Sequence, residues 1–335
     1  MEKSGYIELF NTFNNLNVLI IGDVMVDSYI WGKVNRISPE APVPIVEVEK
    51  RENRLGGAAN VALNIKAMGA NPVLCSLVGD DLKGKEFMEL LRAEGMDDMG
   101  MVISRERITT TKFRVIGNKM QLLRVDEEVV HNLSNSDNQL LSERFRAVLG
   151  KFPPDVLIFQ DYDKGVITTQ LISSVIEWAR ENNIPVAVDP KKKNFRHYQH
   201  VNLFKPNLKE ISEGLNLEIR TDHGDQLKNA VAALRKLLKP EVVLVTLSDK
   251  GILVDYEEEG NHKHHIMPSI VRSVSDVSGA GDTVISVAAL CLAKKIHPEE
   301  MAFISNLAGG QVCEKVGVVP VDKNRLLNEI LRLKQ

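Results

Sequence analysis

Five short apolar runs constrain what this chain can fold into: Val18–Ile21, Val73–Val78, Val156–Phe159, Val186–Val188 and Val242–Leu247. None shows the alternation of a strand with one wet face. Such runs suit strands buried on both faces, as in a parallel sheet covered by helices. Between them the period changes. Ala58, Val61, Ala62, Ile65 and Met68 share one helical face, and Leu82–Ala93, Ser136–Leu149, Leu171–Asn182, Asp225–Leu238, Asp282–Ala293 and Lys323–Leu333 read the same way. Strand and helix alternating along most of the chain predict an α/β fold, doubly wound, with a mostly parallel sheet flanked by helices.

Two stretches break the rhythm. Residues 28–54 contain "SPEAPVPIVEVEK", and residues 109–125 contain β-rich runs around Gly117-Asn118. Both predict a small β-rich lid projecting from the sheet edge. No linker rich in Gly, Ser or Pro divides the 335 residues, so one domain over 1–335 is expected. A net charge of −3 supplies no basic field for a nucleic-acid backbone. Cys75, Cys291 and Cys313 form no CxxC pair and read as buried thiols of a reducing compartment. No apolar run approaches the roughly 18 residues of a membrane span. A cytoplasmic protein acting on small molecules is expected.

Three motifs carry candidate chemistry. "DVSGAGDT", Asp276–Thr283, precedes an apolar helix. Gly279, Ala280 and Gly281 let backbone approach a ligand, and N–H groups at a helix N-terminus favour an anion. Asp282 beside them suits a base that takes the proton of an attacking hydroxyl, although a glycine turn with Asp capping a helix would look the same. "GGAANVALN" offers Gly56 and Gly57 for close approach and Asn60 for hydrogen bonding, or simply tight packing. "IIGDVMVD" ends the first predicted strand, where Asp23 and Asp27 either accept from ligand hydroxyls or are solvated loop acids. His262, His264 and His265 in "NHKHH" lack partners spaced for metal and read as a surface turn, and Lys191–Lys193 as a solvated loop.

Together these motifs resemble the PfkB, or ribokinase-like, sugar kinases, from about Val18 to Val319. Within that family the chain looks most like heptose 7-phosphate kinases. "GDVMVDSYIWGKVNRISPEAPVPIVEV", "RLGGAANVALNIKAMGA", "KFRVIGNKMQLLRVDEE", "DYDKGVIT", "KPNLKE" and "DVSGAGDTVI" carry the likeness. The resemblance implies ATP-dependent phosphorylation of a heptose 7-phosphate at O1, with Asp282 as base and Gly279–Gly281 as anion hole. It implies sugar contacts at Asp27, Gly56, Gly57 and Asn60. Asn207, Leu208, Lys209 and Glu210 match the family's NxxE segment, which serves ATP phosphates and, at Glu210, the hydration shell of Mg²⁺. Asn306 and Gly310 match an adenine-lining region. Asp276 marks the place where several relatives use a monovalent cation such as K⁺, and the lid pairs two subunits into a homodimer. A heptose phosphate also needs cations away from Asp282, for which Arg36, Arg114, Arg124, Lys164 and Lys192 are candidates. Departures are Val277 in place of the signature's Thr and Asp163 where relatives carry Gly, a residue able to keep a left-handed turn. No HxGH nucleotidylyltransferase signature is present, so the kinase step alone is expected. Rival readings are a kinase for another sugar phosphate such as fructose 6-phosphate, a sugar sensor, or a dehydrogenase. The first strand's lack of GxGxxG argues against the last.

Overall fold

The computed structural model describes residues 1–219, 224–270 and 272–334. The first part of the chain forms α1 (Lys3–Thr12), β1 (Asn17–Gly22), β2 (Val24–Ile37), β3 (Pro44–Gly57), α2 (Ala58–Ala67), β4 (Asn71–Gly79), α3 (Leu82–Ala93) and β5 (Met101–Ser104). There follow β6 (Thr111–Gly117), β7 (Met120–Glu127), α4 (Asn135–Leu149), β8 (Val156–Gln160), α5 (Thr169–Glu181), β9 (Val186–Asp189) and β10 (Leu203–Phe204). The last part forms α6 (Leu208–Leu215), α7 (Gly224–Leu238), β11 (Val242–Thr246), β12 (Ile252–Glu258), β13 (Asn261–Met267), α8 (Ala280–Ala293), α9 (Pro298–Val312) and α10 (Lys323–Leu333).

Among the described residues the main sheet has nine strands in the order β13-β12-β11-β10-β9-β8-β1-β4-β5. It is parallel from β11 to β5 and turns antiparallel only at β12 and β13. The non-alternating runs are explained by burial on both faces. Val18 and Ile20 enter one core with α2, α8 and α9, while Leu19 and Ile21 enter the other with α4, α5 and α7. All four are fully buried, each worth roughly 1.5–3 kcal/mol of burial. No helix among the described residues is long and apolar enough to cross a membrane.

The two irregular stretches form a separate four-stranded sheet, order β3-β2-β6-β7. The turn between β6 and β7 sits one residue later than the sequence suggests, at Asn118 and Lys119, both with positive φ. From the registers, Asp27 and Tyr29 of β2 share one face with Arg54, Lys112, Arg114, Arg124 and Asp126. The opposite face carries Ile30, Phe113, Val115, Leu123 and Val125, the last two 55% and 46% exposed. This lid is a two-faced sheet, charged inside and apolar outside.

Candidate active site

Strand order reverses beside β1, whose neighbours β4 and β8 lead away in opposite directions. A crevice opens at the carboxyl ends of the strands at such a switch point. Here it collects Asp23 after β1, Gln160 and Tyr162 at the end of β8, Asp189 ending β9, and Lys205 after β10. The N-terminus of α8 enters the same crevice.

Helix α8 begins two residues earlier than its apolar period suggests. Gly279, in the left-handed region at φ 82, is its N-cap, and Asp282 is therefore a first-turn residue rather than a cap. The N–H groups of Gly281 and Asp282 meet no acceptor among the described residues, which leaves two donors at a positive helix end. The Asp282 side chain turns inward instead. Its Oδ2 accepts from Asn60 Nδ2 at 2.7 Å, and its Oδ1 from Tyr162 Oη at 2.6 Å and Gln160 Nε2 at 3.1 Å. Burial pushes this carboxyl up to about 6, against the hydrogen bonds from Asn60 and Tyr162, with the Asp189 charge adding to the rise. Lys205, buried and 2.9 Å from Asp189 Oδ2, opposes it. A methyl added at Gly281 would stand 3.7 Å from the Lys205 ammonium. A near-neutral base, free N–H groups and a buried cation thus meet within one crevice, an arrangement able to take a proton and to hold an anion.

Beyond α8 the crevice widens into a cavity of about 750 Å³. Leu208 and Lys209 line it with Asn306, Gly310, Ala280 and Gly281, so the NxxE segment and the α9 positions do converge. Asn207 and Glu210 also have a local reason to be where they are. They form a capping box at α6, Asn207 Oδ1 accepting from Glu210 N at 2.9 Å and Glu210 Oε2 from Asn207 N at 2.8 Å. The other Glu210 oxygen pairs with Lys191. Asn306 Nδ2 donates to Pro268 O at 2.9 Å, and Gly310 lacks a side chain where Arg272 lies against it. Asp276 ties the loop before α8 to the segment after α9, accepting from Ser278 N and Gly317 N, each at 2.9 Å.

On the lid side, Asp27 is buried and ion-paired to Arg114. Gly56 must be glycine because any Cβ would collide with the Asp27 carboxylate, and Gly57 because it holds φ 62 against the Asp23 carbonyl. Arg54 and Arg114 flank the Tyr29 ring, at 5.0 and 5.3 Å from its centroid. Arg124 stands directly across from Arg114, turned toward Asp126 at 2.7 Å. Lys164 joins this face through Glu128 at 2.7 Å.

Several expectations are corrected. Asp23 is a scaffold rather than a ligand contact: its carboxylate accepts from the N–H groups of Tyr162, Lys164 and Val166 at 2.9, 3.2 and 2.9 Å. Arg36 lies exposed toward the lid tip, opposite Ile45, away from Asp27. His262–His265 belong to edge strand β13, not a turn, and His265 meets Glu299 at 2.8 Å. Lys191 is a half-buried member of the site, not a solvated loop. Cys313 is half-buried and lines the cavity, whereas Cys75 and Cys291 are buried. Gln160, Tyr162, Asp189 and Lys205 were missed because they come from the ends of three strands, β8, β9 and β10, and only the parallel register brings them together. The one available signal was their place at strand ends.

Residues 15–324 match the family model of the pfkB carbohydrate kinases. The chain is 35% identical to the bifunctional protein HldE of Geotalea uraniireducens over 98% of its own length and 66% of the relative's. It is 38% identical to HldE of Helicobacter pylori strain J99 over 90% of this chain and 63% of that one. It thus spans about two thirds of the length of these relatives. Escherichia coli phosphofructokinase-2 in complex with potassium superposes with a TM-score of 0.78 at 19% identity, covering 95% of this chain and 99% of the other. Arabidopsis thaliana ribokinase complexed with ribose and ATP gives 0.70 at 18%, covering 93% and 99%. The fold is ribokinase-like, and the chain belongs to the pfkB family of carbohydrate kinases.

Proposed function

We propose that the chain transfers the γ-phosphoryl group of ATP to O1 of D-glycero-D-manno-heptose 7-phosphate, giving the 1,7-bisphosphate of lipopolysaccharide-core or related glycan synthesis. The observation that carries this reading is the meeting of the Asp282 carboxylate and the open α8 N-terminus at one switch point, beneath a lid face lined by Arg54, Arg114 and Arg124. The likeness to HldE proteins supports heptose over other sugars. In this reading the sugar lies between Asp27 and Asn60, its distal phosphate against the lid arginines, whose forked donors suit phosphate. ATP fills the cavity lined by Leu208, Lys209, Asn306 and Gly310.

In the transfer, the sugar hydroxyl gives its proton to Asp282. Its oxygen bonds to the γ-phosphorus as the bond to the β,γ-bridging oxygen breaks, and ADP leaves. Such a transition state needs positioning more than strong basicity. The Gly281 and Asp282 N–H groups and Lys205 meet the charge on the transferred group.

No cluster of three or more acidic, His or Cys side chains able to hold a metal is found among the described residues. Mg²⁺ takes few protein ligands and keeps several waters, and Glu210, its Oε1 paired with the half-buried Lys191, would meet that hydration shell. Bound there, Mg²⁺ would neutralise phosphate charge. A monovalent cation at Asp276 would use the lone pairs that Ser278 and Gly317 leave open.

ADP release from MgATP, with the heptose 7-phosphate beside fructose 6-phosphate and ribose, tests the reading. Turnover with the heptose, falling about 10²- to 10⁴-fold in kcat for Asp282→Asn, is expected. Turnover with another sugar alone discards the substrate, and full activity in the variant discards the base.

A further inference from the structure

An ionised carboxylate offers about four lone-pair positions to donors. On Asp282, Oδ1 already accepts from Tyr162 at 2.6 Å and Gln160 at 3.1 Å, whereas among the described residues Oδ2 accepts only from Asn60, at 2.7 Å. We infer that Tyr162 is a positioning residue for phosphoryl transfer: with Gln160 it saturates Oδ1, so that the open lone pair of Oδ2 takes the hydroxyl proton. This rests on the reading of Asp282 as the base.

Tyr162 is built to do this and little else. Its backbone N–H is held by the buried Asp23 carboxylate, which also takes the N–H groups of Lys164 and Val166 and so shapes the whole turn. Asp161 stiffens the other side of that turn, accepting from Tyr198 Oη at 2.7 Å and from Asn194 Nδ2 at 3.0 Å. Asp163 and Gly165, at φ 56 and 90, let the chain reverse there. The Lys191 ammonium lies 5.7 Å from the Tyr162 ring centroid. Burial and the Asp282 charge push the phenol well above its ordinary value, so it stays a donor.

Gln160 is equally committed. Its Nε2 bridges Asp282 and Asp189, at 3.1 and 3.3 Å, and its buried Oε1 has no partner among the described residues. Flipping the amide would set its oxygen against two carboxylates, so charge decides its orientation. Two donors from the end of β8 therefore fix one oxygen of a carboxylate carried by α8.

Tyr162→Phe removes the hydroxyl and keeps the ring. The expected result is a kcat lower by about tenfold, a sugar-phosphate KM within about twofold, and an acid limb of the kcat–pH profile moved up by about half a unit to one unit. The direction follows because a donor to the ionised form lowers a carboxyl's pKa, and removing it raises that pKa. The other groups facing Asp282, namely Asp189, Lys205 and Lys191, are common to both enzymes, as are Asp23 and the substrate's phosphate. The difference between the two profiles therefore belongs to Tyr162. An unmoved limb, or a raised KM at unchanged kcat, overturns the inference. Gln160→Met removes the other Oδ1 donor and must move the limb the same way, so it carries the test if the first variant fails to melt cooperatively. Asp282→Asn separates the two claims. If it stays fully active, the base assignment fails. If it is inactive while Tyr162→Phe matches wild type in kcat and limb, only the positioning role fails.

Discussion

At Asp282, burial and hydrogen bonding pull in opposite directions, and burial prevails. Desolvation raises the carboxyl to about 6, although Asn60 and Tyr162 both favour its charged form. A base must be ionised to accept a proton, and a raised value makes its protonated fraction grow from a higher pH. Activity is therefore expected to fall as pH drops through about 6, where an ordinary aspartate would hold to about 4. A pH–rate profile between pH 5 and 8 at saturating substrates checks this, and a flat profile to pH 5 removes Asp282 from the role. The residue was readable in "GAGDT", but its environment was not. Asn60 stands 222 residues away and Tyr162 120 away, and no spacing rule links them.

Among the elements, α6 shows how one motif serves two ends. The Asn207–Glu210 capping box satisfies donors at the helix start and holds Leu208 and Lys209 at the cavity wall. Losing such a cap costs about 1 kcal/mol, so Asn207→Ala is expected to lower stability by about that amount in urea unfolding. It should also raise the KM for ATP, since the same turn lines the cavity. A stability loss with nucleotide kinetics intact would make the motif a cap alone. Element identity was largely legible: the helices at Leu82–Ala93 and Lys323–Leu333 have the bounds read from their periodicity. Helix α8 was misplaced by two residues because Ala280 and Gly281 carry no periodic apolar signal, while the free N–H groups that matter lie in that turn. Edge strand β13 was missed because its five exposed polar residues Asn261–His265 present no apolar face.

For the whole molecule, the lid has consequences beyond the crevice. Its outer face exposes Leu123 and Val125 beside Val115 and Phe113, and apolar sheet faces of this kind mark contact surfaces. The resemblance to sugar kinases that pair through their lids led to an expected homodimer, and this face is where we place it. Light scattering of Leu123→Lys against wild type is expected to show monomer against dimer, and a wild-type monomer would discard the proposal. By itself the sequence determined the α/β class, the lid segments, the glycines at Gly56, Gly57 and Gly279, and the candidacy of Asp282. Each follows from local cause: side-chain period, missing Cβ, or carboxylate chemistry. Only the tertiary structure decided that Tyr162, Gln160, Asp189 and Lys205 share that carboxylate's crevice and that Asp23 holds the turn beneath them. Their nearness comes from parallel pairing of strands distant in sequence, and such pairing leaves no periodic trace at the residues it joins.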